Sequence, residues 1–408
     1  MTSKHGDEWP GMTRIGKTPC DDLHVYKTIK ELPSLINRKV ILLATATITD
    51  ENIFSNGLFQ NVFFLLRMFD AMGCLPILVV NQKPKTLENI PEVLRTCRIL
   101  CVEDLIKQPI PIFAYIEIGM SVDTLLRKFL KLTGARICKL YLGNILNIDI
   151  ETPIFYPGMH FSHHVIGELQ EIWVSPHYLQ HAEYACALNH VDISGQKYKI
   201  APYVWDPSVL IDDGKRYLGW KPTAPDTPEQ FIIMEPNISF QKCSLLPLVM
   251  IDAWYRKHPS WNGKITVING ERIHQVQFFR ENILSQLDIV KNGKVEFIGR
   301  KDMVSLMREY PSATFICNQI NNEYNYMLLE LLWAGFPVIH NAKCWSEYGY
   351  YYEGNSIQNA AEMIQLSKQS HHEFLETYKS HAKTLAWKHS PYNPEIHRGW
   401  KEILALPS

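Results

Sequence analysis

The sequence predicts an α/β protein made of two Rossmann-like domains, each built on a parallel sheet, facing each other across a cleft. Three observations carry this. Short apolar runs alternate with amphipathic helical stretches, the pattern of consecutive βαβ units. The alternation halts in a polar, proline-bearing stretch from Asp206 to Glu229 and then restarts. At 408 residues the chain is too long for one ordinary hydrophobic core and suits two.

In chain order, residues 1–38 are mixed and turn-rich, with Pro10, Gly11, Gly16 and Pro19, and read as an extension. Lys39–Ala46 contains a short apolar run, the mark of a buried strand. A polar loop ends in Ser55-Asn56-Gly57, after which Leu58, Val62, Leu65, Leu66 and Phe69 recur at helical spacing. Gly73 closes that helix and Leu75–Val80 is the next strand, which makes a strand–helix–strand unit with parallel pairing. Strands follow at 112–118 and 135–142 around a helix at 122–133, then at 171–175 and 199–204. Beyond the linker, strands at 231–234, 264–268, 295–298, 313–317 and 337–339 alternate with helices at 244–257, 278–287, 301–310 and 324–333. The domains are read as 39–215 and 216–385, with a closing helix in 386–408 that packs back on the first domain.

Composition narrows the function. Hydrophobic residues are 46%, enough to fill both cores, while charged residues are 20% and the formal net charge is −1. That balance argues against a protein that coats nucleic acid or an acidic membrane, so no nucleic-acid partner is expected. The nine cysteines are scattered, odd in number and form no C-x-x-C pair, which argues against a disulfide framework and for a reducing compartment. Residues 1–16 lack the apolar core of a signal peptide, and no segment approaches the roughly 20 apolar residues of a membrane span. A cytoplasmic protein with no transmembrane segment is the expectation.

No P-loop, G-x-G-x-x-G, H-E-x-x-H or G-x-S-x-G is present, which removes most of the case for kinase-like, ordinary NAD-binding, zincin and α/β-hydrolase chemistry. The second half instead carries polar loops just after its strands: Glu235–Lys242, Gly299-Arg300, Asn321–Tyr326 opening a helix that holds Glu330, and Gly335–His340. Their order resembles the donor-binding domain of retaining GT-B glycosyltransferases of the family 4 type. Asn237 stands where that superfamily often has an arginine, and Lys242 keeps its lysine. Val295-Glu-Phe-Ile-Gly299 matches its V-x-F-x-G, and Glu330, Gly335, Pro337, Val338 and Ile339 match the second half of its closing motif. The first glutamate of that motif falls on Asn322, with Glu323 one residue out of register. A nearer resemblance is to a little-characterised family of unknown function grouped with glycosyltransferases. The shared residues are Asn56–Val62, Gly143-Asn144 with Ile148–Glu151, Glu235–Ile238, Asn325-Tyr326 with Glu330, and Gly349–Tyr352, spread over roughly residues 50–355.

The resemblance implies a GT-B enzyme that moves a sugar from a nucleotide-diphosphate sugar to a glycan or other hydroxyl acceptor. The first domain would hold the acceptor and the second the donor, with glycan biosynthesis as the setting and no resident cofactor. The residue chemistry fits. A diphosphate needs a cation and oriented N–H groups, and Lys242 and a helix N-terminus supply them. Glu330 is placed to accept from ribose hydroxyls; Arg300, beside Gly299, is a second candidate cation; Asn237, Asn322, Glu323, Tyr324 and Asn325 line the same loops. The plain alternatives are a solvated lysine, an exposed helix carboxylate and a surface salt bridge. In the first half, Asn56-Gly57 before a helix is a phosphate or acceptor contact or else an N-cap and turn, and Glu117 is a catalytic group or else a strand-terminal polar residue. Asp149-Ile-Glu151 resembles the D-x-D metal motif of the other large glycosyltransferase fold, with both carboxylates on one face if they lie on a strand. The coherence of the second half weighs against it, and no metal site is expected. His160, His163 and His164 read as a solvated loop cluster, and Tyr348 with Tyr350–Tyr352 as an aromatic wall or core filling. Two rival functions stand beside transfer: a nucleotide-sugar epimerase of GT-B-like fold, and a non-catalytic sugar- or nucleotide-binding protein.

Overall fold

The computed structural model describes residues 37–45, 57–80, 98–107, 110–119, 124–159, 169–194, 197–212, 216–322 and 324–407. The chain forms two compact units, Met1–Val209 with Trp387–Ser408, and Leu210–Ala386.

In the first unit, β1 (Val40–Ala44), β2 (Leu75–Val80), β3 (Arg98–Cys101), β4 (Ala114–Glu117), β5 (Arg136–Tyr141), β6 (Glu171–Val174) and β7 (Tyr198–Ile200) form a seven-stranded sheet in the order β3-β2-β1-β4-β5-β6-β7. Every pairing is parallel. All five residues of β1 and all six of β2 are buried, as a parallel sheet covered on both faces requires. Helix α1 (Gly57–Ala71) buries Phe59, Val62, Phe63, Leu66 and Phe69 on its way from β1 to β2. It stops at Gly73, whose φ of 81° lets its N–H reach Asp70 O and the next N–H, of Cys74, reach Phe69 O. Helices α2 (Val102–Lys107), α3 (Thr124–Leu132), α4 (Ile145–Phe155) and α5 (Ala182–Leu188) complete the layers.

The second unit holds β10 (Gln230–Ile233), β11 (Lys264–Val267), β12 (Val295–Phe297), β13 (Thr314–Ile316), β14 (Val338–His340) and β15 (Tyr350–Tyr351), after a short hairpin of β8 (Ile211–Asp212) and β9 (Arg216–Tyr217). Its sheet runs β12-β11-β10-β13-β14-β15, again all parallel. Helices α6 (Leu245–Lys257), α7 (Glu271–His274), α8 (Asp288–Lys291), α9 (Met303–Glu309), α10 (Tyr326–Trp333) and α11 (Ile357–Ser370) connect and cover it, and α12 (Leu375–His389) leads out. The core gathers Phe231, Trp254, Trp261, Ile265, Ile339 and Tyr352.

The final helix α13 (Pro394–Leu404) belongs to the first unit. Trp400 is fully buried, edge-on to Phe69 at 5.2 Å and Trp173 at 5.7 Å. Arg136 donates to Leu404 O at 2.8 Å and Lys199 to Ile403 O at 2.8 Å, so two cations bind the carbonyl end of α13 where its dipole is negative.

Several elements depart from the sequence expectation. Residues 145–155, which include the Asp149-Ile-Glu151 that a strand would place on one face, are a helix capped by Asn144, whose Oδ1 accepts from Asn147 N–H. β3 and β15 are additional strands, and the 278–287 helix is a π-turn at Phe279–Ile283 followed by a 3₁₀ turn. In each sheet the strand order reverses at one place, between β1 and β4 in the first and between β10 and β13 in the second. Such switch points open a crevice at the carboxyl ends of the strands.

Candidate active site

At the second switch point the chain leaves β10 through Met234 and Glu235, turns back on itself and enters α6. Asn237 makes the turn. Its φ is 54°, a conformation asparagine tolerates better than most residues. Its amide is fully used: Nδ2 donates to Glu235 O at 3.0 Å and to Asn269 O at 3.1 Å, and Oδ1 accepts from Ser244 N–H at 2.8 Å. Asn237 N–H also donates to Lys242 O at 3.1 Å and Lys242 N–H to Ser239 O at 3.2 Å. The loop is thereby closed, and Lys242 returns to the neighbourhood of Glu235.

The loop after β13 is stitched to it. Gln241 donates through Nε2 to Ile320 O at 3.0 Å, and Ile320 N–H donates to Gln241 O at 3.0 Å. Asn318 donates through its backbone to Glu235 Oε1 at 3.3 Å and through Nδ2 to Tyr352 Oη at 2.9 Å. Gln319 reaches Glu235 Oε2 at 3.4 Å and accepts from Asn322 Nδ2 at 2.6 Å. Asn325 caps α10, its Oδ1 accepting from Met327 N–H at 3.1 Å. Glu330 lies buried one turn further along that helix, and Tyr324 packs on Trp345 at 5.0 Å.

The electrostatics centre on Glu235. It is completely buried, and burial pushes its carboxyl up to about 8 against the pull of Lys242. Burial also lowers the Lys242 ammonium, opposed by Glu235. Lys242 itself is half-buried, and among the described residues no carboxylate lies within ion-pair distance of it. The charge it feels is that of the buried Glu235, which stands beyond ion-pair distance.

The expected donor-side residues fall into two groups. Asn237, Lys242, Asn322, Tyr324, Asn325 and Glu330 lie on the loops and helix that follow β10 and β13. Gly299 and the exposed Arg300 follow the edge strand β12 and reach the others through Asn269, whose N–H donates to Gly299 O at 3.3 Å. Glu323 lies outside the described residues. Glu235, Asn318 and Gln319 had not been singled out as site residues. The signal for them was an acid two residues beyond a buried strand and a run of amides, Asn318 to Asn322, beyond another.

In the first unit, Asn56 and the histidines 160, 163 and 164 lie outside the described residues. Gly57 opens α1, its carbonyl accepting from Asn61 Nδ2 at 2.8 Å. Glu117, at the end of β4, is completely buried and ion-paired with Lys139 of β5, whose ammonium is lowered by burial. A carboxylate so engaged holds its neighbours in place rather than reaching outward. The paired-carboxylate alternative for Asp149 and Glu151, weighed against in the sequence, has no support in the structure. They sit on α4, where a two-residue step turns about 200°, so they point to different sides. Asp149 accepts from Tyr184 Oη at 2.6 Å and Glu151 is buried. Among the described residues no group of three or more His, Cys, Asp or Glu side chains gathers as a metal site would, and no helix is long and apolar enough to cross a membrane.

Two parallel Rossmann-like sheets in one chain are the arrangement of the GT-B fold, and likeness to solved structures gives this chain that fold. A glycosyltransferase from Rickettsia africae is 15% identical, covering 90% of this chain and 99% of that one at a TM-score of 0.53. HepE of Anabaena in complex with UDP-glucose is 10% identical, covering 89% and 99% at 0.52. The DNA-modifying enzyme β-glucosyltransferase is 12% identical, covering 90% and 100% at 0.53. No curated protein sequence matches. Residues 42–404 match the family described as Protein of unknown function (DUF2827), and the chain belongs to that family.

Proposed function

We propose that the protein is a glycosyltransferase that takes a sugar from a nucleotide-diphosphate donor and passes it to a hydroxyl acceptor. The observation that carries this is Lys242, a half-buried ammonium with no ion-pair partner among the described residues, held by the Asn237 turn at the switch point of the second sheet. A diphosphate is the natural counter-ion for such a group. The capped start of α10, at Asn325, adds oriented N–H groups. Glu330 accepts from the ribose hydroxyls, with Asn322 and Tyr324 on the loop that precedes its helix; Glu323, outside the described residues, is proposed for the same role from its place in the sequence. Gly299 and Arg300 line the β12 side. Asn237 positions the loop. In the first unit, Glu117 orders the acceptor side through Lys139, with Gly57 at the opening of α1; Asn56, outside the described residues, is proposed as a contact from its place in the sequence.

Departure of the sugar leaves charge on the bridging diphosphate oxygen. A cation fixed in a half-buried site stabilises that charge without solvent reorganisation. On this reading the charge is met by Lys242 and backbone N–H groups, with no divalent metal. The fold likeness to transferases, one of them captured with UDP-glucose, supports the choice of donor class. The test is incubation with UDP- and GDP-sugars, with and without a panel of sugar and glycan acceptors. Acceptor-dependent release of nucleotide is the expected result. Conversion of the donor alone to its epimer would make the protein an epimerase, and binding without turnover would make it a binding protein.

A further inference from the structure

Glu235 is a carboxyl group shut away from water at the switch point, two residues beyond β10. From the described residues its oxygens receive two long hydrogen bonds, 3.3 Å from Asn318 N–H and 3.4 Å from Gln319 Nε2. So little donation does not replace the hydration of a carboxylate, and the neutral form is favoured. Among the described residues the titratable groups around it come from three elements: Lys242 from its own loop, Cys317 from the end of β13 and Tyr352 from beyond β15. Burial and the charge of Glu235 hold both the thiol and the phenol far above their ordinary values, so neither changes charge where a carboxyl titrates. Asn318, Gln319 and Asn269 carry no charge. Among the described residues what remains is the pair Glu235 and Lys242, the acid raised and the ammonium lowered by the same burial, and a second negative charge can come only from a ligand.

We propose that a nucleotide-sugar diphosphate and the ionised Glu235 compete for the charge of Lys242, so that donor binding carries one proton onto Glu235. This rests on the nucleotide-sugar reading of the site. The direction follows from the charges. Below about pH 8 the buried carboxyl keeps its proton, and the positive charge that Lys242 holds meets the ligand without a counter-charge from Glu235. Above it, Glu235 ionises and becomes the counter-ion of Lys242, which weakens attraction for an incoming anion. A bound diphosphate in turn raises the affinity of Glu235 for its proton, because the two linked equilibria must balance. Glu235 is therefore a positioning residue. It sets how much of the charge of Lys242 the donor meets, without touching the reacting atoms.

The experiment is calorimetric binding of UDP-glucose and, in parallel, GDP-glucose to the full chain between about pH 6.5 and pH 9. Each titration is repeated in two buffers of different ionisation enthalpy, which counts protons taken up. The diphosphate of these diesters does not titrate in that range. The expected result is a Kd that rises by up to tenfold per pH unit above about pH 8, with uptake approaching one proton. Glu235→Gln, neutral at every pH, is expected to bind tightly throughout with no uptake from this source. Binding that is flat with pH and releases or takes up no proton overturns the inference and leaves the donor reading standing. A folded Glu235→Gln with the wild-type pH dependence overturns it as well. Failure of both nucleotides to bind at any pH overturns inference and reading together. The proton count is made on the unaltered protein, so it does not depend on the variant folding.

Discussion

Lys242 is the residue on which the proposed chemistry turns, and its surroundings decide what its loss should do. The diphosphate is already negative in the bound donor, so Lys242 contributes to affinity. More charge gathers on the bridging oxygen as the glycosidic bond breaks, so its contribution grows in the transition state. Lys242→Ala is expected to lower kcat by about 10²–10³ while raising the donor KM much less. Lys242→Arg is expected to restore only part, since a planar guanidinium fork does not replace a compact point charge. Steady-state kinetics of the three proteins is the check. A raised KM with intact kcat would make Lys242 a uniform binding group. Glu330, buried on α10, is expected to cost the donor about 1.5–3 kcal/mol of binding when changed to Gln, the value of one hydrogen bond to a charged group. An unchanged Kd in a folded variant would remove it from the site. Lys242 and Glu330 are proposed from their places in a motif order. Glu235 was not singled out, because an acid two residues beyond a buried strand marks a place near the sheet's end but not whether the carboxyl is sealed in or ends in water.

At the scale of elements, the site depends on one turn. Asn237 holds the β10–α6 loop with three side-chain hydrogen bonds and a φ of 54°. Asn237→Ala removes the bonds and leaves a Cβ in a left-handed conformation that costs about 1–2 kcal/mol. Asn237→Gly removes the same bonds but is at ease with the backbone. Denaturation midpoints should therefore order as wild type, then Gly, then Ala, and donor affinity should fall in both variants as Lys242 loses its fixed place. Equal midpoints for Gly and Ala would show that the left-handed turn carries no energetic weight. The Asn237 amide was read as a ligand contact because it stands where the resembling family has arginine; the structure spends all of it on the loop. Most strands were legible because parallel strands buried on both faces read as apolar runs, as Val40–Ala44 and Leu75–Val80 do. Two kinds of element were not. β3 and β15 are short edge strands, whose pairing with one neighbour leaves little apolar signal. Helix α4 carries Ile148 and Ile150 two apart and Pro153 near its end, a strand-like pattern that its Asn144 cap and tertiary packing override.

At the scale of the whole molecule, the chain returns at Trp387 to finish the unit it began, so Trp400, Leu404 and the Arg136 and Lys199 contacts complete a core that 1–209 alone would leave open. The second unit is one continuous segment, 210–386, and it contains every donor-side residue of the proposed site. This division makes a ligand test specific. A nucleotide that binds through Lys242 and the start of α10 touches the second unit. It should slow hydrogen exchange at 234–242 and 317–330 and raise the stability of the transition that unfolds this unit. At a hundred times its Kd, UDP is expected to add about 2.7 kcal/mol, because a ligand that binds only the folded form shifts the equilibrium by mass action. EDTA should leave that gain unchanged if Lys242 and backbone N–H groups meet the phosphates. A gain that appears only with added Mn²⁺ would mean that a metal bridges protein and diphosphate, and the role given to Lys242 would pass to it. Exchange protection in the first unit alone would move the nucleotide to the β1–β4 switch point and leave Lys242 with no ligand to meet.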